Sequence, residues 1–156
     1  MIRAATAADA PAITAFWNPQ IRDTLVTFNS IEKTDEEVAT MIATRRAFFV
    51  VEEGGVIGFA TYDQFRGGVG YARTMEHTVI LAPDAQGRGW GRALMQTLED
   101  HARANGVHSM IAGVSGGNEN GCAFHAALGY ARVGTVAQAG HKFDQYWDLV
   151  LMQKVL

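Results

Sequence analysis

The sequence lacks paired cysteines, a basic charge balance and a long apolar run, and each absence excludes a class of protein. The single cysteine, Cys122, excludes an internal disulfide and fits a reducing compartment. No run approaches the ~20 apolar residues of a membrane span, and the first residues enter a capped helix pattern instead of a signal peptide. The net charge of −3 excludes a broad basic surface for nucleic acid. We therefore expect a cytoplasmic protein that binds neither membranes nor nucleic acid.

The pattern of apolar residues predicts one α/β domain that spans residues 1–156. The chain is 48% hydrophobic and 19% charged, which is ordinary for a globular protein with its own core. Alternating and helical patterns predict the order β-α-α-β-β-β-α-β-α-β-β, a mixed sheet with helices on both faces. Residues 19–31 are predicted to be irregular, with Phe28 exposed in a loop. The later strands are predicted at 71–81, 107–114, 130–136 and 146–153.

The most informative segment is a glycine-rich run at residues 86–91, which reads Gln-Gly-Arg-Gly-Trp-Gly. It lies between an apolar strand pattern at 77–81 and a helical pattern from Ala93 onwards. A strand, a glycine-rich turn and a helix N-terminus together aim backbone N–H groups at one point, which is how many proteins hold phosphate oxygens. The alternative is a turn that only lets a strand enter a helix. The first interpretation predicts a phosphate-bearing ligand held by main chain.

Two nucleotide-binding loops do not fit this segment. A Walker A loop needs a lysine directly after a glycine, and none of the three lysines, Lys33, Lys142 and Lys154, follows one. A dinucleotide fingerprint needs Gly-x-Gly-x-x-Gly and an acidic residue ~20 positions further on. Here the glycine spacing differs, and the residue 20 positions after Gly91 is Ile111. The pattern Gln/Arg-x-x-Gly-x-Gly/Ala matches at every fixed position.

That last pattern resembles the acyl-CoA pyrophosphate loop of the GNAT N-acetyltransferase superfamily. The similarity extends along the chain to the phosphinothricin/methionine-sulfoximine acetyltransferase branch, in the segments 2–13, 27–29, 75–79, 125–130 and 140–148. The resemblance implies a GNAT fold, with a mostly antiparallel sheet and a splayed strand pair that holds CoA. It also implies an acetyl-CoA-dependent N-acetyltransferase that acts on a small amino-acid-like acceptor and forms a homodimer.

The resemblance also predicts how acetyl-CoA is held. The backbone of Val79, Ile80 and Leu81 matches the stretch that pairs with the pantetheine arm, and Asn118 matches a helix-capping residue that contacts it. Arg88 and Arg92 would add charge to the phosphates, or else they lie in a solvated helix start. The predicted loop residues are Gln86, Gly87, Arg88, Gly89, Trp90, Gly91 and Arg92.

Glu76 is the candidate general base. A carboxylate in an apolar strand is unfavourable when buried without a partner, and burial raises its pKa towards a useful range. In the resembling branch the matching glutamate is the proposed base, directly or through water. The alternative is a rim carboxylate that binds the substrate ammonium, and both roles can coexist. Strand alternation points His77 to the opposite face, which favours a structural role for it.

His125 is the second catalytic candidate. Many GNAT enzymes have Phe-Tyr-x-x-x-Gly-Phe here, and that tyrosine protonates the departing thiolate. This chain has Phe124 followed by His125, so three possibilities stay open: His125 protonates the sulfur, binds CoA or does neither. The family's usual serine near the start of this helix is Gly121 here. Cys122 beside it is interpreted as a packed helix cysteine, because no His–Asp pair marks it as a nucleophile.

The acceptor pocket is predicted from charged and aromatic side chains. Arg73, assigned to the same strand face as Glu76, and Lys142 are candidate cations for an acidic acceptor. Phe28, Tyr62 and Arg66 are candidate pocket walls, although each also has an ordinary surface or core interpretation. None of the five histidines has metal-ligand spacing, so no metal is predicted.

The sequence therefore predicts acetyl transfer from acetyl-CoA to the amine of a small acceptor, without a covalent acyl-enzyme and with the oxyanion held by backbone N–H groups near Val79. Two alternatives remain open at this point. One is acetylation of a peptide, a protein N-terminus or another amine. The other is a non-catalytic acyl-CoA-binding sensor.

Overall fold

A seven-stranded mixed sheet forms the centre of the fold in the computed structural model, which describes residues 1–156. The strands are β1 (Ile2–Ala4), β2 (Ala47–Glu52), β3 (Val56–Gln64), β4 (Thr74–Leu81), β5 (Ser109–Ser115), β6 (Ala131–Lys142) and β7 (Gln145–Val155). The helices are α1 (Ala10–Asp23), α2 (Asp35–Thr44), α3 (Trp90–Ala104) and α4 (Glu119–Ala127). The strand order is β1-β2-β3-β4-β5-β7-β6, which confirms the predicted mixed sheet and the predicted sequence of elements.

The sheet has a separate apolar core on each face. Helix α3 packs Leu94, Met95 and Leu98 onto one face. Helices α1 and α2 cover the other face, where Ile13 and Val38 are fully buried. Both cores hold the sheet rigidly by apolar burial. They leave the junction between β4 and β5 as the place where the sheet opens.

Strands β4 and β5 are the only parallel neighbours, and they pair for just three residues. Thr74–Glu76 pairs with residues 109–111 of β5. Beyond Glu76 the two strands separate, although β5 stays paired with β7 up to Ser115 and β4 stays paired with β3 up to Leu81. The sheet therefore splits into two arms, as the splayed strand pair of the resembling fold predicted.

Two predicted boundaries before the last hairpin were wrong. Helix α1 continues through Pro19 to Asp23 instead of ending at residue 18, because Gln20 and Ile21 are buried against the sheet. Strand β4 begins at Thr74 instead of residue 71, because residues 69–71 form a 3₁₀ turn.

The terminal β6–β7 hairpin is longer than predicted. Strand β6 runs to Lys142 with a register shift between Val136 and Gly140. Its glycines and polar residues have the composition of a loop, which concealed the strand. No helix in the structure is both long and apolar enough to cross a bilayer.

Candidate active site

The gap between the two arms of the sheet opens into a cavity of about 840 Å³. One side is formed by β4 from Glu76 onwards and by the glycine-rich loop. The other side is formed by β5 and α4, and residues 26–29 also line the cavity. The cavity therefore joins the predicted cofactor loop to the predicted acceptor loop through the position of Glu76.

The free edge of β4 turns backbone polar groups into this gap. The Thr74 carbonyl accepts a hydrogen bond from the Phe65 N–H, just after β3, and the Ala82 N–H donates to the Ile57 carbonyl in β3. The backbone N–H and C=O groups of successive strand residues point to opposite neighbouring strands. The backbone groups of the odd-numbered residues of β4 therefore point towards β5. Val79 and Leu81 therefore present their N–H groups to the gap, whereas Ile80 turns its backbone to β3. The Leu81 carbonyl is taken by a side-chain amide of α1 at 3.0 Å.

The glycine-rich loop has the backbone that its sequence predicted. Gly87 and Gly89 have φ angles of 74° and 87°, which residues with a β-carbon adopt at a cost. Helix α3 begins at Trp90, and no side chain caps its first N–H groups. Those N–H groups and the positive end of the helix dipole make this a site for an anion.

Five of the seven predicted loop residues line the cavity, and two do not. The five are Gln86, Gly87, Gly89, Gly91 and Arg92. Arg88 instead pairs with the Glu53 carboxylate in the β2–β3 turn, which holds the pKa of that carboxyl below its usual value. Trp90 packs against the α3 core. Alternation of backbone direction around the tight turn sends these two side chains away from the gap.

Asn118 caps helix α4 at the far side of the cavity. Its Oδ1 accepts a hydrogen bond from the Gly121 N–H at 3.0 Å, and Asn118 lines the cavity as predicted. An added β-carbon on Gly121 would lie 2.5 Å from the Asn118 Nδ2. The serine usual in the family would therefore not fit beside this asparagine conformation.

Glu76 lies at the last paired position of β4, where the arms separate, and it lines the cavity. Its carboxylate has no ion pair and no hydrogen-bond partner in the structure. Burial of this carboxyl raises its pKa above its usual value. An unpaired, partly desolvated carboxylate in a cavity has the properties of a general base.

Gly113 of β5 makes room for that carboxylate. A β-carbon added to Gly113 would lie 2.8 Å from Glu76 Oε2. Ile111 and Gly113 are on the same sheet face as Glu76, and Glu76 is opposite Ile111 in the register. Gly113 was not among the predicted site residues, although an isolated glycine inside an apolar strand is a signal of close approach.

His77 and His125 form a buried pair on the other face of the sheet, with their Nε2 atoms 2.8 Å apart. The His125 Nδ1 lies 2.7 Å from the Gly121 carbonyl, so Nδ1 carries the proton and Nε2 accepts one from His77. Burial, with a smaller contribution from His125, lowers the pKa of His77 to about 3. Burial also lowers the pKa of His125. Both imidazoles are therefore neutral at pH 7.

This geometry argues against His125 as the general acid. Although His125 lines the cavity, its only N–H is used by the Gly121 carbonyl and its other nitrogen faces His77. It has no proton to offer a departing thiolate.

We expect His125→Gln to lower kcat by no more than about threefold, because the lost group transfers no proton. The variant should lose about 1–3 kcal/mol of folding free energy, because the His77 N–H is left buried without its partner. Steady-state kinetics and urea unfolding check both values. A hundredfold fall in kcat in a folded protein would restore the catalytic assignment.

The candidate acceptor residues separate into one that lines the cavity and four that do not. Phe28 lines it and is half-buried against Gly140, instead of exposed as predicted. Lys142 is 4% exposed, and the three N–H groups of its ammonium are shared among four backbone carbonyls within 3.0 Å. That ammonium is not available to a substrate, so its assignment as a substrate-binding cation was wrong.

The other three candidates lie elsewhere. Tyr62 is fully buried on the α3 face, with its hydroxyl 3.1 Å from His101 Nδ1. Arg66 is exposed in the β3–β4 connection, where its guanidinium lies 5.6 Å from the Tyr71 ring centre. Arg73 precedes β4 and is exposed. It is three residues before Glu76, and an odd separation puts two strand residues on opposite faces.

Comparison with known proteins decides the family. A model described as the acetyltransferase (GNAT) family matches residues 15–130. The chain belongs to the GNAT acetyltransferase family. A Pseudomonas aeruginosa L-methionine sulfoximine/L-methionine sulfone acetyltransferase is 33% identical, over 97% of this chain and 92% of that protein.

Two solved structures extend the comparison. A Brucella melitensis structure described as a ribosomal-protein-alanine N-acetyltransferase has a TM-score of 0.96 and 37% identity, covering 100% of this chain and 99% of its own. A GNAT phosphinothricin acetyltransferase from Sinorhizobium meliloti, solved with acetyl-CoA, has a TM-score of 0.94 and 30% identity. It covers 100% of this chain and 88% of its own.

The observed site fits the acetyl donor of GNAT enzymes, which is acetyl-CoA. The glycine-rich loop and the uncapped start of α3 would hold its pyrophosphate, and the free carbonyl of Val79 and the free N–H of Leu81 would bond the pantetheine arm. One cavity extends from the glycine-rich loop to Glu76, so the predicted acetyl-CoA site and the candidate base share it. Acetyl-CoA supplies an activated thioester, and the chain supplies the backbone that positions it.

Proposed function

We propose that this GNAT enzyme acetylates the α-amine of a small amino-acid-like acceptor of the phosphinothricin or methionine sulfoximine type. The observation that carries the proposal is the unpaired Glu76 carboxylate, which lies where the donor and acceptor parts of one cavity meet. The names of the Pseudomonas and Sinorhizobium relatives support the acceptor class.

The proposed reaction is direct transfer. Glu76 removes a proton from the acceptor ammonium, directly or through a water, and the neutral amine attacks the thioester carbonyl. The Val79 N–H faces the gap and would stabilise negative charge on that oxygen. Cys122 is absent from the cavity wall, so no cysteine nucleophile is available for an acyl-enzyme. Because His125 offers no proton, we propose that the C–S bond breaks to release the thiolate, while the nitrogen passes its second proton to water.

A second candidate acceptor is the amino terminus of a protein or peptide. The description of the Brucella structure favours it. The two acceptor classes differ in the space that they need beyond the amine. Residues 26–29 line the cavity, and the names of the Pseudomonas and Sinorhizobium relatives favour the smaller acceptor.

A thiol-release assay with acetyl-CoA tests the proposal. The panel contains L-methionine sulfoximine, phosphinothricin, unmodified methionine, a polyamine and alanine-initiated peptides. We expect the first two to have the highest kcat/KM. Faster turnover of the peptides would replace the proposal with the second candidate, and CoA binding without turnover of any amine would indicate a sensor.

We also propose that the chain is a single domain and a cytoplasmic homodimer, as the resembling branch implies. Strand β6 supports association, because it is an edge strand with Val133 and Val136 55% and 47% exposed. Analytical ultracentrifugation checks the assembly, and a species with the mass of one chain at micromolar concentration would contradict it.

A further inference from the structure

We infer that Lys142 is a positioning residue for the acceptor, because its buried ammonium fixes the loop of residues 24–33, which lines the cavity through residues 26–29. The inference rests on the proposed function, which assigns that part of the cavity to the acceptor.

The acceptor loop has almost no backbone support of its own. Between residues 25 and 33, no backbone N–H or carbonyl is bonded to another backbone group. Its backbone hydrogen bonds are made to side chains instead. The Asn18 amide, for example, exchanges two hydrogen bonds with the Lys33 backbone at 2.8 Å each. A segment with so few backbone bonds needs an external anchor to hold one conformation.

Lys142 supplies that anchor through carbonyls at the end of α1 and within the loop. Its Nζ lies 2.6 Å from the Ile21 and Thr24 carbonyls at the end of α1, where helix carbonyls lack partners and the dipole is negative. It also lies 2.8 Å and 3.0 Å from the carbonyls of Thr27 and Asn29. The ammonium therefore ties the loop to the helix.

The last two carbonyls belong to the residues on either side of Phe28. Thr27, Phe28 and Asn29 all line the cavity, so the ammonium holds the backbone that presents the Phe28 ring. The hydrogen bonds of Lys142 all go to carbonyls, and no carboxylate pairs with it. Without the ammonium, four carbonyls would lose their partner and the loop its fixed position.

Gly140, two residues earlier in β6, fixes the same loop by shape. A β-carbon added to Gly140 would lie 2.5 Å from the Phe28 ring. The end of β6 therefore fixes Phe28 in two ways. Lys142 bonds the backbone carbonyls beside it, and Gly140 packs against its ring.

Lys142→Met tests the inference, because methionine keeps an unbranched side chain and removes the charge. We expect the KM for L-methionine sulfoximine to rise about tenfold, while the KM for acetyl-CoA and the Kd for CoA change less than about twofold. Amide hydrogen exchange of residues 24–33, measured in the full chain, should be faster. A merely structural role would raise both KM values or neither.

Gly140→Ala is a second variant that displaces Phe28 while Lys142 is retained. It should raise the acceptor KM in the same selective way. Gly134→Ala in the same strand is the matched control, since an added β-carbon there meets nothing within 4 Å, and its kinetics should equal those of the parent. If Lys142→Met does not fold, Lys142→Arg keeps the charge with a different shape and should show a smaller selective rise.

Unchanged exchange in the loop of a folded Lys142 variant would overturn the inference, and so would equal rises in the two KM values. If the parent enzyme acetylates no amino-acid-like acceptor, the proposed function fails. The exchange difference still decides separately whether Lys142 holds the loop.

Discussion

Replacement of Glu76 with glutamine is expected to lower kcat by about 10²- to 10³-fold, which is the usual contribution of a general base. Glutamine keeps the size and place of the side chain but accepts no proton from the acceptor ammonium. Steady-state kinetics with saturating acetyl-CoA and L-methionine sulfoximine measure the loss.

Binding of CoA is the control for this variant. The loop and the Val79 backbone that would hold CoA do not use the Glu76 carboxylate, so calorimetry should give an unchanged Kd. A kcat within about threefold of the parent would remove Glu76 from the mechanism.

The same substitution should make the protein more stable at pH 7. Burial raises the pKa of Glu76 in the folded state, so between the unfolded pKa of about 4.3 and that raised value the unfolded chain binds fewer protons. The stability that the protonated form contributes is present below pH ~4.3 and is lost as pH rises through the folded pKa. Glutamine does not ionise, so the variant keeps this stability at pH 7. Thermal unfolding of parent and variant at pH 4 and pH 7 measures the difference in unfolding temperature.

Gly113→Val is expected to lower kcat by about 10²-fold without removing any polar group. Even a single β-carbon at this position would lie 2.8 Å from Glu76 Oε2, so the carboxylate must leave the position where it meets the acceptor. A displacement of about 1 Å at a reacting group is enough for a loss of this size.

Gly113→Ala provides a graded comparison, because its one added carbon needs a smaller shift than the three of valine. We expect an intermediate kcat and an unchanged Kd for CoA. If both variants fold and match the parent in kcat, the place of Glu76 above Gly113 has no role in catalysis.

The donor half of the site was predictable from sequence because it depends mostly on backbone. The spacing of Gln86, Gly89 and Gly91 encodes a turn and a helix start directly. The direction of the Val79 backbone follows from strand alternation once β4 is known. Side-chain directions in the loop were less accessible, and Arg88 and Trp90 turned away from the gap.

The acceptor half was predicted poorly because it depends on tertiary packing. Tyr62 and Arg73 are on chain segments near the site, but the Tyr62 side chain is buried on the α3 face and Arg73 lies in the exposed turn before β4. Lys142 lies beside the loop that contains Phe28, but its ammonium contacts four carbonyls that are distant in sequence, which no local pattern reveals. The role of Gly113 depends on its contact with Glu76, which is on a different strand and is not visible in the local sequence.

We therefore propose that donor and acceptor are held by different physical means. Main chain, glycine conformation and a helix terminus form the donor side, so its side chains tolerate variation. A loop held by one buried ammonium forms the acceptor side. Glu76 lies between them at the point where the sheet divides.

The pH dependence of kcat/KM for the acceptor, in the parent and in Glu76→Gln, tests this account most directly. The carboxylate must be ionised to accept a proton, so the parent should lose activity as pH falls through the raised pKa of Glu76. The account predicts that this acidic limb, above pH ~4.3, is absent from the low residual activity of the variant. The same limb in both proteins would contradict the assignment of Glu76 as the base.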